Sequence, residues 1–239
     1  MLAIIDSRAP AEAISNLRQH VDGVLLFHSE EITSNAISGH PDIFIYQDQD
    51  NLIVAPNAPT SLIDFFKKHR VHFIFGETNV TEDFEGNVRY NCLGTSHYFL
   101  HREGFTEPAI FRLITKKEFI HLPQAYTRCS LTHLGNDQYI TSDKGIEKKL
   151  KEKGLDCFYF SPEEISIIGH PHGFFGGTNG LWNGKLFFIG NIDLHQNGGG
   201  LRKYIAQCGI EIISLSNTLL YDGGGIFFIP ENNSGTDSI

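Results

Sequence analysis

Five copies of one pattern occur along the chain, each a strand, a tight turn, a second strand, a helix and a third strand. Four copies are continuous and span, in chain order, residues 42–76, 87–122, 126–160 and 174–215. The two clearest turn at Asn136–Asp137 and at Asn183–Gly184. The turns recur at a spacing of roughly 40–47 residues, which is typical of repeat architectures. We therefore predict a repeat fold, with an ordinary α/β sheet carrying repeated hairpins as the alternative.

The fifth copy is divided between the two ends of the sequence. Residues 2–6 have the pattern of a second strand, followed by a helix over about 10–20 and a third strand at 24–27. The missing first strand is supplied by residues 226–231, which follow Asp222 and three glycines. A ring closed by pairing these segments hides strand edges that would otherwise invite aggregation. We predict one domain over residues 1–239.

Charge and apolar content exclude several classes of function. The net charge is −9, which argues against a nucleic-acid surface and leaves cationic small molecules as plausible ligands. No apolar run approaches the ~20 residues of a membrane span. Asp6 and Arg8 interrupt the first apolar run, so we expect no signal peptide.

The four cysteines are widely spaced and form no CxxC pair. This spacing argues against a disulfide framework or a zinc ribbon and favours reduced thiols in a cytoplasmic protein. No metal or other cofactor is predicted, because His170 and His172 lack a further ligand at a telling spacing. The oligomeric state is not indicated.

Three local segments lead into the strands that should face the axis of the ring. They read TRCSLT at 127–132, HPHGFFGGTNG at 170–180 and YDGGG at 221–225. Together with the five-unit layout they resemble the pentein superfamily of arginine deiminases, amidinotransferases and dimethylarginine dimethylaminohydrolases. A ribosome anti-association factor in that superfamily is not an enzyme, and the sequence also resembles an uncharacterised bacterial group within it. The resemblance implies an α/β fold, a pentein-like propeller of five pseudo-symmetric units around a central cleft.

The resemblance also implies a mechanism that this chain does not match. In catalytic members a cysteine near the start of the final inward strand attacks the guanidinium carbon, a histidine moves protons, and carboxylates hold the guanidinium. Phe227 or Phe228 occupies that region here. We therefore expect a protein without the usual covalent mechanism, which binds a small guanidino or amino-acid-like ligand, or a partner, in the cleft.

An active enzyme is the alternative, so catalysis is left open. A hydrolase or transferase acting on a guanidino or related C–N substrate would use Cys129 or Cys92 as nucleophile and His172 as proton carrier. The alternative is that both cysteines are small buried hydrophobic residues, as free cysteines usually are.

Four further residues at the strand entries are candidates for ligand binding: Asp42, Arg128, Asn179 and Asp222. Carboxylates suit a planar cation, and an arginine suits a carboxylate. The alternatives are that the aspartates accept backbone N–H bonds in turns and that Arg128 forms a salt bridge.

Overall fold

The structure is a computed structural model, and it describes residues 1–231. Within that range the chain forms fifteen strands and seven α-helices. The strands build five three-stranded sheets, each with its own crossover helix.

The elements follow in chain order. The chain begins with β1 (Leu2–Asp6), α1 (Ala11–Leu17) and β2 (Gly23–Phe27). The second unit contains β3 (Ile45–Gln47), β4 (Leu52–Val54), α2 (Thr60–Lys68) and β5 (Ile74–Phe75). After α3 (Phe84–Val88), the third unit contains β6 (Leu93–Gly94), β7 (Tyr98–His101), α4 (Pro108–Leu113) and β8 (Glu118–His121).

The second half repeats the same order. A one-turn helix α5 (Thr127–Ser130) leads into the fourth unit, which contains β9 (Leu131–Gly135), β10 (Gln138–Thr141), α6 (Lys144–Glu152) and β11 (Asp156–Tyr159). The fifth unit contains β12 (Asn179–Trp182), β13 (Lys185–Phe188), α7 (Gly198–Gln207) and β14 (Glu211–Ser214). The last strand described is β15 (Phe227–Ile229).

All five sheets share one topology. The middle strand pairs antiparallel with the strand before it and parallel with the strand after the helix, as β13 does with β12 and β14. In the first unit the middle strand is β1, and its antiparallel partner is β15, with Leu2 opposite Ile229 and Ile4 opposite Phe227. The prediction that one unit is divided between the two ends of the sequence is confirmed.

The hairpin turns explain why the repeat was visible in the sequence. Asn136 and Asp137 have φ values of 48° and 58°, and Asn183 and Gly184 have values of 47° and 70°. Positive φ at both central residues defines the turn whose twist matches a two-residue hairpin, and Asn, Asp and Gly adopt it most easily.

The apolar core lies within and between neighbouring units. Leu100 and Ile120 of the third unit belong to one cluster with Tyr139, Ile146 and Leu150 of the fourth. Ile146 and Leu150 form the buried face of α6, which Asp143 caps by accepting bonds from the N–H groups of the first turn. The crossover helix α6 thus covers a sheet with its apolar face.

The third strand of each unit has an apolar sequence, which is typical of a buried strand, but is only partly buried. Ile74 and Phe75 of β5 are 50% and 48% exposed, whereas every residue of β1 is buried. The third strands are more exposed because each lies at the outer edge of its sheet and pairs with a neighbour on one side only.

Two candidate residues expected at strand entries lie in short turns that precede the strands. Cys129 belongs to α5, and Asp42 lies in a 3-10 turn at Pro41–Ile43 that precedes β3. Both turns direct side chains towards the centre of the molecule. No helix within residues 1–231 is long and apolar enough to cross a lipid bilayer.

His101 of β7 is a fully buried histidine with both ring nitrogens bonded. Nε2 lies 3.0 Å from the carbonyl oxygen of Ala125, and Nδ1 lies 2.8 Å from Oγ1 of Thr106. Since a carbonyl oxygen only accepts, Nε2 carries the proton and Nδ1 accepts the hydroxyl of Thr106. Burial lowers the pKa of His101 to about 4.

We predict that His101 makes the protein acid-sensitive. The unfolded chain binds this proton near pH ~6.5, so stability falls as the pH drops from that value towards 4, by about 3 kcal/mol in all. In His101→Gln, urea unfolding should therefore show a flatter decline of the unfolding free energy over this pH range. The exposed His72→Gln is the control, and parallel curves for His101→Gln and wild type would contradict the prediction.

Candidate functional site

Two short turns bring four functional side chains to the centre of the molecule. The turn at Pro41–Ile43 carries Asp42 and follows His40, and α5 carries Arg128 and Cys129. The carboxylate of Asp42 lies between the two residues of α5. Its Oδ2 is 2.6 Å from Sγ of Cys129, which donates to it, and 3.9 Å from Nη1 of Arg128.

Asn91 holds α5 against the turn. Its side-chain Oδ1 accepts from the backbone N–H of Cys129 at 3.1 Å, and its carbonyl oxygen accepts from Thr127 N at 3.0 Å. Its Nδ2 lies 3.4 Å from Sγ of Cys129 and 3.4 Å from the carbonyl oxygen of Asp42. One buried amide therefore fixes the relative position of the thiol and the carboxylate.

The guanidinium of Arg128 is held by the chain itself. Nη1 donates to the carbonyl oxygen of Gly224 at 3.0 Å, and Nη2 donates to that of Ile226 at 3.3 Å. Cζ lies 4.0 Å from the centre of the Phe227 ring, a cation–π contact. Gly225 leaves room for this group, because a Cβ there would lie 2.4 Å from Nη1.

Asp222 and His40 form the second half of the cluster. Asp222 is fully buried and accepts from Phe174 N at 2.7 Å and from Gly224 N at 3.2 Å. Nδ1 of His40 lies 4.0 Å from Oδ1 of Asp222. Within residues 1–231, both ring nitrogens of His40 and Oδ1 of Asp42 are buried without a hydrogen-bond partner. The centre therefore holds unused hydrogen-bonding capacity, which is rare for buried polar atoms.

A cavity of about 500 Å³ lies against this cluster. Its polar floor is formed by His40, Cys129 and Asp222. Its walls are mostly apolar or aromatic and include Ile37, Ile43, Phe84, Tyr126 and Phe174. Two exposed imidazoles, His170 and His172, complete the lining. Apolar walls with a few convergent polar groups are typical of small-molecule sites.

A second cavity of about 340 Å³ lies on the Arg128 side. It is lined by Asp48, Arg128, His133, Asn179, Trp182 and Phe227, among others. The single tryptophan, Trp182, is 38% exposed in this lining. Arg128 and Cys129, neighbours in sequence, thus face different cavities with Asp42 between them.

The structure brings some predicted site residues together and separates others. Cys129, His172 and Asp222 line the larger cavity, and Arg128 and Asn179 line the smaller one. Asp42 is buried between them.

Asn179 and Cys92 are engaged in internal contacts. The Nδ2 of Asn179 donates to the carbonyl oxygen of Phe175 at 2.8 Å, and its Oδ1 accepts from Thr132 at 3.0 Å. Cys92 is buried 3.5 Å from the carbonyl oxygen of Tyr90, and it is not among the residues that line either cavity.

The electrostatics of the cluster follow from its burial. Burial raises the pKa of Asp42 to about 6, although Arg128 acts in the opposite direction. Burial also raises the pKa of the Cys129 thiol well above its ordinary value, and the carboxylates of Asp42 and Asp222 add to that effect. At neutral pH the thiol is therefore protonated, and a neutral thiol is a poor nucleophile.

Sequence reasoning did not assign roles to His40 and Asn91. Both stand just before or at the entry of a strand that should face the axis, at 40–42 and 91–94. A polar residue at such an entry is the signal by which they could have been found. Their convergence with Cys129 depends on contacts between different units.

Comparison with known proteins finds one matching family and several solved structures with a similar fold. Residues 4–227 match a family described as "Family of unknown function (DUF6873)". No curated protein matches the chain in sequence. A dimethylarginine dimethylaminohydrolase from Pseudomonas aeruginosa, complexed with citrulline, is similar in structure, with a TM-score of 0.55 and 10% identity over 93% of this chain and 92% of that one.

Two other solved structures are similar to the same degree. Agmatine deiminase from C. jejuni has a TM-score of 0.56 and 10% identity, covering 93% of this chain and 91% of that one. The amidinotransferase SxtG from Microseira wollei, of the saxitoxin biosynthetic pathway, has a TM-score of 0.54 and 8% identity, covering 100% and 96%. These likenesses show the fold, a pentein-like α/β propeller, as the five-unit layout predicted.

Proposed function

The chain belongs to the DUF6873 family, and from the geometry of its larger cavity we propose that it binds a small cationic, nitrogen-rich molecule without covalent catalysis. The ligand would be a guanidino or amino compound whose charged end faces Asp222 and the Asp42–Cys129 pair. The observation that carries the proposal is the pair of buried carboxylates, Asp222 at the cavity floor and Asp42 beneath it, against the single guanidinium of Arg128.

The charges of the floor favour a cation. Asp42 and Asp222 are both fully buried, and Arg128 is the basic residue that pairs with Asp42. Two carboxylates and one guanidinium leave one negative charge uncompensated, which is costly away from water. A cationic ligand would neutralise this charge, and its N–H groups could donate to Asp222 and to the acceptor nitrogen of His40, which both line the cavity.

The residues at the centre argue against the covalent chemistry of the similar enzymes. Phe227 stands at the start of the final strand, and its ring is covered by the guanidinium of Arg128. The family resemblance would place a nucleophilic cysteine there. The chain's own guanidinium lies beside this ring and beside Asp42, so that part of the centre is already filled.

We predict that agmatine or arginine binds and that citrulline binds more weakly. Citrulline has the shape of arginine but carries an uncharged urea group, so it tests the charge of the floor directly. At a ligand concentration of ~100 times Kd, binding should raise the unfolding free energy by about 2.7 kcal/mol. Thermal shift and calorimetry on chelator-treated protein would measure this.

Matched variants locate the binding. Asp222→Asn should weaken binding by at least about tenfold, since charge-assisted hydrogen bonds contribute about 1.5–3 kcal/mol. The exposed Asp64→Asn makes the same charge change far from the cavity and should have no effect. Ile37→Trp fills the cavity without altering its charges and should abolish binding. The proposal fails if no cationic compound binds, or if binding survives both cavity variants.

A thiol enzyme is the second candidate, because Cys129 does line the cavity beside His40. Attack by sulfur requires the thiolate, and burial with two nearby carboxylates opposes its formation.

Reactivity towards iodoacetamide near neutral pH separates the two candidates. We predict that the half-buried Cys208 is alkylated faster than Cys129, as mapped by mass spectrometry with Cys208→Ser as the reference. Faster modification of Cys129 than of free cysteine would favour the enzyme.

A further inference from the structure

We propose that His40, Asp42 and Cys129 form a binding site for a divalent transition metal ion, with zinc the best match. The candidate ligand atoms of these three residues all lie within 4.8 Å of one another. All three residues are buried, with exposures of 1%, 0% and 3%. They converge from the turn before β3 and from α5, which belong to different units of the propeller.

The unpartnered atoms point to a missing ligand. Three buried atoms of these ligands lack a hydrogen-bond partner among residues 1–231: both ring nitrogens of His40 and Oδ1 of Asp42. A buried polar atom left in this state costs about 1–3 kcal/mol. A metal ion coordinated by one nitrogen and by Oδ1 would satisfy both residues at once.

Gly224 packs closely against both residues. It has a φ of +71°, and a Cβ at this position would lie 2.6 Å from Oδ1 of Asp42 and 2.7 Å from Cβ of His40. Any larger residue would clash with the two ligands and displace them.

The donor set selects the class of metal. One imidazole, one carboxylate and one thiol are the donors that Zn²⁺ uses, whereas Ca²⁺ and Mg²⁺ prefer oxygen donors alone. Three protein ligands leave one tetrahedral position free, and Cys129 and His40 both face the larger cavity. A water molecule, an amine or a carboxylate from that cavity would complete the coordination.

Metal binding would replace the proton of the Cys129 thiol with a metal–sulfur bond. The thiol proton of Cys129 now lies on the 2.6 Å contact with Oδ2 of Asp42. When the metal binds, the S–H bond would break and its proton would leave to buffer, so the hydrogen bond from Sγ to Oδ2 would be lost. Sulfur and Oδ1 would then each bond the metal, at about 2.3 Å and about 2.0 Å for zinc.

The charges balance in the metal-bound state. The thiolate of Cys129 with Asp42 and Asp222 carries three negative charges, and Arg128 carries one positive charge. A divalent ion brings the sum of these groups to zero.

Among the described residues, Asp222 is the carboxylate nearest to the histidine. Its Oδ1 lies 4.0 Å from Nδ1 of His40, too far for a hydrogen bond. A shift of about 1 Å on metal binding would let Nδ1 donate to Asp222 while Nε2 bonds the metal, which is the arrangement that metal-binding histidines commonly adopt. Asn91, 3.4 Å from Sγ of Cys129, supports the thiolate as a hydrogen-bond donor.

This inference goes beyond the proposed function. A metal ion and an organic cation would compensate the same negative charge, so the two occupy the floor as alternatives. The metal is therefore tested on the protein alone, and the organic ligands on protein treated with chelator.

Titration with Co²⁺ tests the site, because cobalt replaces zinc and is coloured. We expect one equivalent to bind, with a thiolate-to-cobalt charge-transfer band in the near ultraviolet, release of protons to the buffer, and displacement by Zn²⁺. Cys129→Ser and Cys129→Ala should both abolish the band, and His40→Gln should abolish stoichiometric binding. Asp222→Asn should weaken binding by about 10- to 100-fold.

Two controls carry the same changes elsewhere. Cys208→Ser and His72→Gln alter a half-buried thiol and an exposed imidazole and should leave the titration unchanged. Circular dichroism shows whether each variant is folded. Two Cys129 variants are used so that the test stands if one of them fails to fold. Absence of stoichiometric Co²⁺ binding to the wild type, or a charge-transfer band that persists in a folded Cys129 variant, would overturn the proposal.

Discussion

The packing of the five units at the centre of the molecule depends on the contacts of one arginine, Arg128. The side chain of Arg128 bonds the carbonyl oxygens of Gly224 and Ile226, which lead into β15 of the first unit, and pairs with Asp42 at the entry of the second. Its backbone N–H donates to Asn91 at the entry of the third unit, and α5 itself begins the fourth. Gly176 of the fifth unit packs so closely that a Cβ there would lie 2.1 Å from the Arg128 carbonyl oxygen. All five units therefore meet at this residue.

This arrangement decides which chemistry remains available. The guanidinium of Arg128 covers Phe227 and compensates one of the two buried carboxylates of the cluster, Asp42, so the smaller cavity begins at a group that is already satisfied. The larger cavity begins at Cys129, His40 and Asp222, where the charge of Asp222 is uncompensated and both ring nitrogens of His40 lack a partner among the described residues. The proposed organic cation and the proposed metal ion would each compensate the same buried negative charge.

The layout was predictable because its signals are local, and much of the site was not because it is assembled from distant segments. The positive φ values at Asn136 and Asn183 belong to residue types that favour them, and the strand after Asp222 had no partner except at the start of the chain. By contrast, the one-turn helix that turns Cys129 towards Asp42 leaves no periodic signal in four residues. The role of His40 depends on contacts across units, which no local pattern encodes. Burial at the centre, and not residue type, sets the charge state of the Cys129 thiol.

The central claim is that Arg128 is a structural counter-ion for the buried cluster, and a double-mutant cycle tests it most directly. In urea unfolding, Arg128→Met should lower the unfolding free energy by about 3–5 kcal/mol, because it leaves the charge of Asp42 unpaired. Adding Asp42→Asn should recover part of that loss, with a coupling energy of at least about 1 kcal/mol. The surface pair of Arg112 and Glu77 provides the reference, since Arg112→Met should cost less than about 1 kcal/mol. An equally small loss for Arg128→Met, with no coupling to Asp42, would contradict the account.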